Sequence, residues 1–545
     1  MSTECFPITV LPHVSALYRD YLAMAESPAD APARRWYGCE PFAGKWLGCA
    51  ETGGADRDRL ADALGEQNRK WGAGGAALAN IEKLRRGARA LVTGQQVGLL
   101  GGPLLTLLKA ATAVSRAREA TRLTGVEHVP VFWLATEDHD LPEVNQVSLL
   151  GRTEVETLRA AFAPGAPVPV GGVVLGPEMR VVLDRASDLL AGAPECDVLR
   201  QCYAPGETLG SAFAKLMAHL FAEQGLIVLD ASGREFHAMG ASTLRYAIEH
   251  AAELERALLG RSKALVAAGY HAQVLVVPGA SLLFLSDELT GARQALRRVG
   301  ATDGGAGEKS WKAGRELFST ADLLGILERT PERLSPNALL RAVFQDTILP
   351  TAAYVGGPAE IAYFAQSAVV YEAILGRVTP VLPRLSATLL EPAVATAMAR
   401  HEVQLPDAMT SAADLAQRLG ARAMPIAGKR KLAAVGNAMD TELTALTEYM
   451  NAMNASLGRA AGVSASKMRY QMNRLRRMAA NFELEKEASL GRQAEMITLH
   501  VFPDGHPQER LLAGVWFIAR YGEGLVERLV GEAANQCPGH VVVRL

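Results

Sequence analysis

LVTGQQVGLLGGPLLTLLKAATAVSRA, Leu91–Ala117, followed closely by VPVFWLATEDHDLPEVN, Val129–Asn145, decides the fold. A short apolar run, Ala88 to Val92, stops at Thr93-Gly94, and a loop of Gln95, Gln96, Gly98, Gly101 and Gly102 follows. Pro103 suits a first helical position, and Leu104, Leu107, Leu108, Ala111 and Val114 then recur at helical spacing. The second apolar run, Val129 to Ala135, ends in Thr136-Glu137-Asp138-His139-Asp140. The order is strand, Gly-rich turn, helix, strand, with polar chemistry after both strands. In a parallel α/β sheet ligands bind beyond the carboxyl ends of the strands, so both loops fall on the binding edge.

The first loop is not a P-loop, because no Gly-Lys-Ser/Thr closes it, and its glycines miss the dinucleotide spacing. Its glycines still let a ligand approach the backbone, and the helix start after Pro103 offers free N–H groups to an anion. Gln95 and Gln96 add amide donors and acceptors; a tight turn without a ligand is the alternative reading. In the second loop three carboxylates surround one imidazole. His139, with Asp138 or Asp140, is the candidate for positioning or deprotonating an amine. The spacing matches no closed zinc pattern.

A second dense region is LSPNALLRAVFQDTILPTAAYVGGPAEIAYFAQ, Leu334–Gln366. Ser335 and Pro336 read as N-cap and first helical residue. Asn337, Arg341 and Gln345 share a helix face, and Asp346 lies just past it. Arg341 suits a carboxylate or phosphate. Tyr354, Gly356, Gly357 and Pro358 echo the first Gly-Gly-Pro turn, with Glu360 and Tyr363 opening the next helix.

These two stretches, together with FPDGHPQER, Phe502–Arg510, resemble the cysteine-adding ligase family of bacillithiol biosynthesis along essentially the whole chain. The resemblance implies a Rossmann-like α/β core with inserted connecting segments and an α-helical coiled-coil arm that dimerises. It implies a fold similar to class I nucleotidyl transferases and aminoacyl-tRNA synthetases. The implied activity is ATP-dependent addition of cysteine to glucosaminyl-malate, the last step of the pathway, with Mg²⁺ accompanying the nucleotide. The expected nucleotide- or substrate-binding set is Thr93, Gly94, Gln95, Gln96, Gly98, Gly101, Gly102, Asn145, Asn337, Arg341, Gln345, Asp346, Tyr354, Gly356, Gly357, Glu360 and Tyr363. Two other readings stay open: a nucleotidyl transferase acting on another small substrate, and a non-catalytic dimeric scaffold.

With 545 residues, 49% hydrophobic and 21% charged, the chain has the composition of a globular protein of two or three domains. A net charge of −2 implies no general affinity for polyanions. No apolar stretch reaches the roughly 18 residues of a membrane span, and the N-terminus lacks signal-peptide character. The six cysteines show no CxxC pair; each is expected to be a small buried apolar residue in a reducing cytoplasm.

Residues 1–385 are expected to form the core, with insertions at about 146–205 and 231–330. Within these, Val168 to Leu175 reads as β-like, Ala272–Val277 and Leu282–Ser286 as a hairpin, and Ser242–Ala268 as one helical segment. Asp230, after the apolar Gly225–Leu229 run, suits a ligand or a turn cap. Lys309 and Lys312, in the Gly-rich loop Thr302–Lys312, are candidates to meet phosphates. Residues 386–500 are expected to form the arm, a helical hairpin broken at Gly458–Gly462 with Leu443, Leu446, Met450, Met453 and Leu457 on one seam. Its basic run from Lys467 to Arg477 reads as a solvated face, so no nucleic-acid partner is expected. Residues 501–545 return to the core.

Overall fold

The computed structural model describes residues 4–49, 56–162, 168–299 and 310–545. The chain divides into a core unit, Met1–Gly151, Glu156–Thr388 and Glu509–Val543, and a second unit, Arg152–Val155, Leu389–Gln508 and Arg544–Leu545.

The core unit is built on five parallel strands: β1 (Arg89–Gln96), β2 (His128–Ala135), β3 (Ile227–Leu229), β4 (Thr351–Gly356) and β5 (Val381–Pro383). Their spatial order is 3-2-1-4-5, a doubly wound arrangement whose topological switch point lies between β1 and β4. The strands are apolar along most of their length because a parallel sheet is covered on both faces; Leu91, Val92, Val131 and Val355 are fully buried. Helix α1 (Leu105–Thr124) follows β1 and buries Leu107, Leu108, Ala111 and Val114. It ends on Gly125 in the left-handed conformation, whose N–H bonds the Thr121 carbonyl. Helix α2 (Pro358–Leu375) follows β4 directly. Pro103 lies two residues ahead of α1 rather than at its first position, and makes an isolated bridge to Ala513.

Two insertions interrupt the winding. Between β2 and β3 comes a short strand pair, Gln146–Leu150 with Val155–Arg159. The stretch expected to be β-like, Val168 to Leu175, instead holds a 3-10 turn at Val170–Gly172. Between β3 and β4 is a five-stranded antiparallel sheet, in the order Glu316–Ser319, Ser310–Ala313, Arg293–Val299, Ala280–Ser286, Leu334–Pro336. The expected hairpin is therefore wrong in its partner: Ala272–Val277 is irregular, and Ala280–Ser286 pairs with Arg293–Val299 and Leu334–Pro336. Ser335-Pro336 is strand rather than helix start. The following helix, Ala338–Ile348, is capped by Asn337, whose Oδ1 accepts from the Leu339 and Leu340 N–H groups. The segment Ser242–Ala268 is two helices that meet at His250. A third sheet joins Glu4–Pro7, Gly539–Arg544 and Ala387–Leu390, in that order.

The second unit is helical. Ile426–Met453 and Ala455–Lys486 form the hairpin, 28 and 32 residues long, or about 42 and 48 Å at the helical rise. The break falls at Asn454, which caps the second helix through Ser456 and Leu457 N–H, and not at Gly458–Gly462. Gly458 lies inside the helix because a Cβ there would collide with Asn451 on the facing one. The buried seam is made of small residues and one methionine, Gly436, Gly458, Ala465, Met472 and Ala480. The expected apolar seam stays largely exposed: Leu446 is 54% and Met453 63% accessible.

Candidate active site

A cavity of about 730 Å³ opens at the switch point, lined by the ends of β1 and β4, the first turns of α1 and α2, and the returning segment that holds Arg510 and Leu511. The Gly-rich loop is shaped by backbone that few residues tolerate. Gly101 and Gly102 have φ of +87° and +69°, and Leu100 is also left-handed at +49°, a strained geometry of the kind found at ligand sites. A Cβ on Gly94 would come within 2.8 Å of the Trp133 carbonyl oxygen, so glycine is required where β1 meets β2.

Lys109 organises the floor. It sits on an otherwise apolar stretch of α1 and is only 4% exposed. Its Nζ donates to the Gly94 carbonyl at 2.7 Å and to Gln95 Oε1 at 2.9 Å, and pairs with Glu360. Glu360 also accepts from Gly357 N–H at 2.7 Å and Tyr354 OH at 2.6 Å. Burial acts to raise the Glu360 carboxyl, but Lys109 and the Gly357 N–H hold it below the usual range, so it is ionised. The Arg341 guanidinium donates to Tyr363 OH, Tyr354 OH and Gln345 Oε1.

A second buried pair stands beside the first. Arg384, just after β5, donates twice to Glu509, at 2.9 and 2.6 Å. Glu509 further accepts from Ala387 N–H at 2.9 Å and Ser386 Oγ at 3.2 Å. Although burial opposes it, Arg384 holds the Glu509 carboxyl down at about 2. Ser386 and Thr388 flank the two nitrogens of His540, each at 2.8 Å. Burial depresses this imidazole to about 4, Glu509 opposing and Arg384 adding to the effect.

Arg510 is different. Its side chain lines the cavity, and among the described residues it forms no hydrogen bond or close ion pair. The residue is exposed, and its pKa is lowered by partial burial and by the neighbouring Arg384, with Glu509 opposing. On another part of the lining the Gln96 amide nitrogen bridges two carboxylates, Asp138 and Glu143, at 2.8 Å each. The cavity thus combines cations (Lys109, Arg159, Arg341, Arg384, Arg510) with fewer anions (Asp138, Glu143, Glu360) and two helix N-terminal ends. Such a lining suits a ligand with net negative charge. Among the described residues, no group of three or more His, Cys, Asp and Glu side chains is placed to hold a metal ion.

Comparison with known proteins decides the family. Residues 1–385 match the model of the bacillithiol biosynthesis BshC N-terminal Rossmann-like domain, and residues 387–545 that of its C-terminal coiled-coil domain. The chain belongs to the BshC family. A relative from Koribacter versatilis, named "Putative cysteine ligase BshC", is 40% identical over the full length of both chains. Relatives of the same name from Salinibacter ruber and Chlorobaculum tepidum are each 31% identical, over 97% and 90% of this chain and 96% and 89% of their own.

In this BshC-family chain the cavity gathers Gly94, Gln95, Gln96, Gly98, Gly102, Arg341, Tyr354, Gly357, Glu360 and Tyr363 from the expected set, with Asp138 from the three catalytic candidates. The rest of that set lies outside the lining. Thr93 bonds the Val355 carbonyl and ties β1 to β4. Gly101 N–H donates to Tyr203 OH, and Asn145 is held by Ala160. Asn337 is the helix cap described above, and Gly356 closes β4. Gln345 and Asp346 are buried behind the site, where Asp346 accepts from Gln345, Tyr371 and Thr379. His139 and Asp140 also fall outside; His139 Nδ1 is 3.9 Å from Asp138 Oδ1 and its ring faces Phe284. Asp230 is committed to Thr136 and Ser232. Lys312 is in the inserted sheet, and Lys309 lies outside the described residues.

Sequence reasoning missed Lys109, Glu143, Arg159, Arg384 and Arg510. For Lys109 a signal existed, a lone cation inside the apolar run Leu107–Ala113. The cysteine reading also needs correction. Cys196 and Cys202 are buried as expected, but Cys49 is exposed and Cys5 is joined to Cys537 in a disulfide.

Proposed function

We propose that the chain is an ATP-dependent ligase that joins the carboxyl group of cysteine to the amine of glucosaminyl-malate as an amide. A free carboxylate does not acylate an amine, so the cysteine carboxyl must first be activated. Adenylation fits the doubly wound fold by analogy: pyrophosphate leaves, the amine attacks the activated carbonyl, and AMP departs. One observation carries the reading. A single cavity presents an unpartnered guanidinium and two helix N-terminal ends together with a bridged pair of carboxylates. Glucosaminyl-malate bears two carboxylates and one amine, and its charges complement these features.

In this reading Arg510 and Arg384 receive substrate carboxylate or nucleotide phosphate, helped by the α1 and α2 ends. Asp138 holds the attacking amine and accepts its proton, while Gln96 fixes the carboxylate's direction. His139 acts through Asp138. Magnesium would arrive with the phosphates, which supply most of its ligands, and Glu143 is the lining carboxylate placed to add one. Lys109 and Glu360 hold the Gly-rich loop and α2 in register and do not touch the reacting atoms. The exposed apolar residues of the arm, Leu446, Tyr449, Met453 and Phe482 among them, support pairing of two copies through the hairpin.

The test is reconstitution. Purified protein, ATP, Mg²⁺, cysteine and glucosaminyl-malate are mixed, and mass spectrometry follows the cysteinyl product and the nucleotide. Product with AMP supports the adenylate route. Product with ADP replaces it by an acyl phosphate. Folded protein with intact substrates and no product refutes the ligase reading.

A further inference from the structure

The Cys5–Cys537 disulfide joins residues 532 apart in sequence, with Cα atoms 6.0 Å apart. Cys5 lies in the four-residue strand Glu4–Pro7, at the sheet edge and exposed, whereas Cys537 is half-buried just before Gly539–Arg544. The two strands approach so closely that a Cβ on Gly539 would collide with the Phe6 carbonyl oxygen. Four paired residues at an exposed edge hold weakly by themselves, and the cross-link adds a covalent fastening to this strand.

The far side of Gly539–Arg544 leads to the cavity in three steps. His540 is locked between Ser386 and Thr388. Ser386 donates to Glu509, and Glu509 holds the guanidinium of Arg384, which lines the cavity. Gln536, next to the cross-linked cysteine, holds Glu119 and the Ala43 N–H. Loosening Cys537 therefore acts on both ends of one rigid segment.

We infer that the Cys5–Cys537 bond is a thiol-exchange site for small aliphatic thiols of the cysteine class, and that its state sets how firmly Arg384 is held. A thiolate attacks the exposed Cys5 sulfur, the S–S bond breaks, and Cys537 leaves as a thiolate that takes up a proton. A second thiol then attacks the mixed disulfide, releasing Cys5 as a thiol and the small molecule as its own disulfide. Two thiols are oxidised and one protein disulfide is reduced. That exchange stands independently of the ligase reading. Its regulatory meaning rests on that reading, because the proposed substrate cysteine and the proposed product are both such thiols.

The experiment incubates the full chain with millimolar cysteine and, separately, with a phosphine reductant, which contains no thiol. Peptide mass spectrometry follows the cross-link, and hydrogen exchange follows residues 539–543. Cysteine is expected to open the bond and to speed exchange in this strand by on the order of tenfold or more. The phosphine, and Cys5→Ser with no reagent, are expected to do the same, and added cysteine should not change the variant further. A cross-link that survives cysteine while the phosphine opens it would overturn the exchange site. An opened bond that leaves exchange at 539–543 unchanged would overturn the coupling to Arg384. Both readouts are independent of ligase activity, so failure of that reading stays distinguishable.

Discussion

Lys109→Met offers the sharpest test of how the site is built. The substitution keeps the apolar stem of Lys109 and removes three donor contacts, to Gly94 O, Gln95 Oε1 and the Glu360 carboxylate. Glu360 retains Gly357 N–H and Tyr354 OH but loses its ion-pair partner, with Arg341 and Arg384 as the remaining nearby cations. Removing one member of a buried ion pair costs about 3–5 kcal/mol, because the survivor is left as an uncompensated charge. Glu360→Gln strands Lys109 in the same way and is expected to cost about as much. The double variant strands neither charge, so its cost should fall to about 1–3 kcal/mol, giving a coupling energy of at least about 3 kcal/mol. Urea unfolding followed by tryptophan fluorescence reads this directly, since all six tryptophans lie in the core unit. The pH sense is fixed as well. With the Glu360 carboxyl held below its ordinary value, its contribution is present at neutral pH and lost as pH falls through the folded value. Additive single-variant costs, or costs under about 1 kcal/mol each, would refute the ionic pin between the Gly-rich loop and α2.

Three further outcomes follow from the same geometry. Unfolded, His540 titrates near 6.5; folded, near 4. The unfolded chain therefore takes up an extra proton between those values, and stability should fall by about 3 kcal/mol as pH drops through that window; His540→Asn should flatten the slope in urea titrations taken at each pH, with Glu509 and Arg384 still facing the position. Arg510→Met has no described partner to strand, so stability should stay within about 0.5 kcal/mol, while KM for the anionic substrate rises about tenfold or more; an unchanged KM would remove Arg510 from the binding role. Asp138→Asn should lower kcat by about 10²-fold or more, His139→Ala by much less, because only Asp138 lines the cavity; equal losses would return the imidazole to the centre of the reaction.

The sheet was legible because its determinants are contiguous. Each core strand is an apolar run that ends in glycine or polar residues, and each Gly-Gly-Pro turn lies between a strand and the helix that follows it. What stayed hidden depends on contacts between distant segments. Arg384 and Glu509 meet only because the C-terminal segment returns to β5. Lys109 is masked by the apolar helix that buries it. Cys5 and Cys537 become neighbours through a strand pairing no local pattern announces. Elsewhere a local rule chose wrongly between near equals. Ser335 and Asn337 are both good caps, and the strand Leu334–Pro336 takes the first of them. Asn454 ended a helix where glycines were the more obvious breakers, because Gly458 was needed for close packing against Asn451.

The two Gly-Gly-Pro turns have a common physical origin. In a 3-2-1-4-5 sheet β1 and β4 are neighbours, so the helices that follow them begin at the same crevice. Two helix N-terminal ends and several buried cations at one place would repel each other unless anions intervene. The chain supplies two from within, Glu360 for Lys109 and Glu509 for Arg384, and both are held ionised by the cations they serve. Arg510 forms no close ion pair among the described residues. It is exposed and stands beside Arg384, which lowers its pKa while Glu509 opposes, so its guanidinium is the lining cation free to meet an anionic ligand. The cation that the chain leaves without an internal ion pair is therefore the one that gives the site affinity, and removing Arg510 should cost binding with little change in stability.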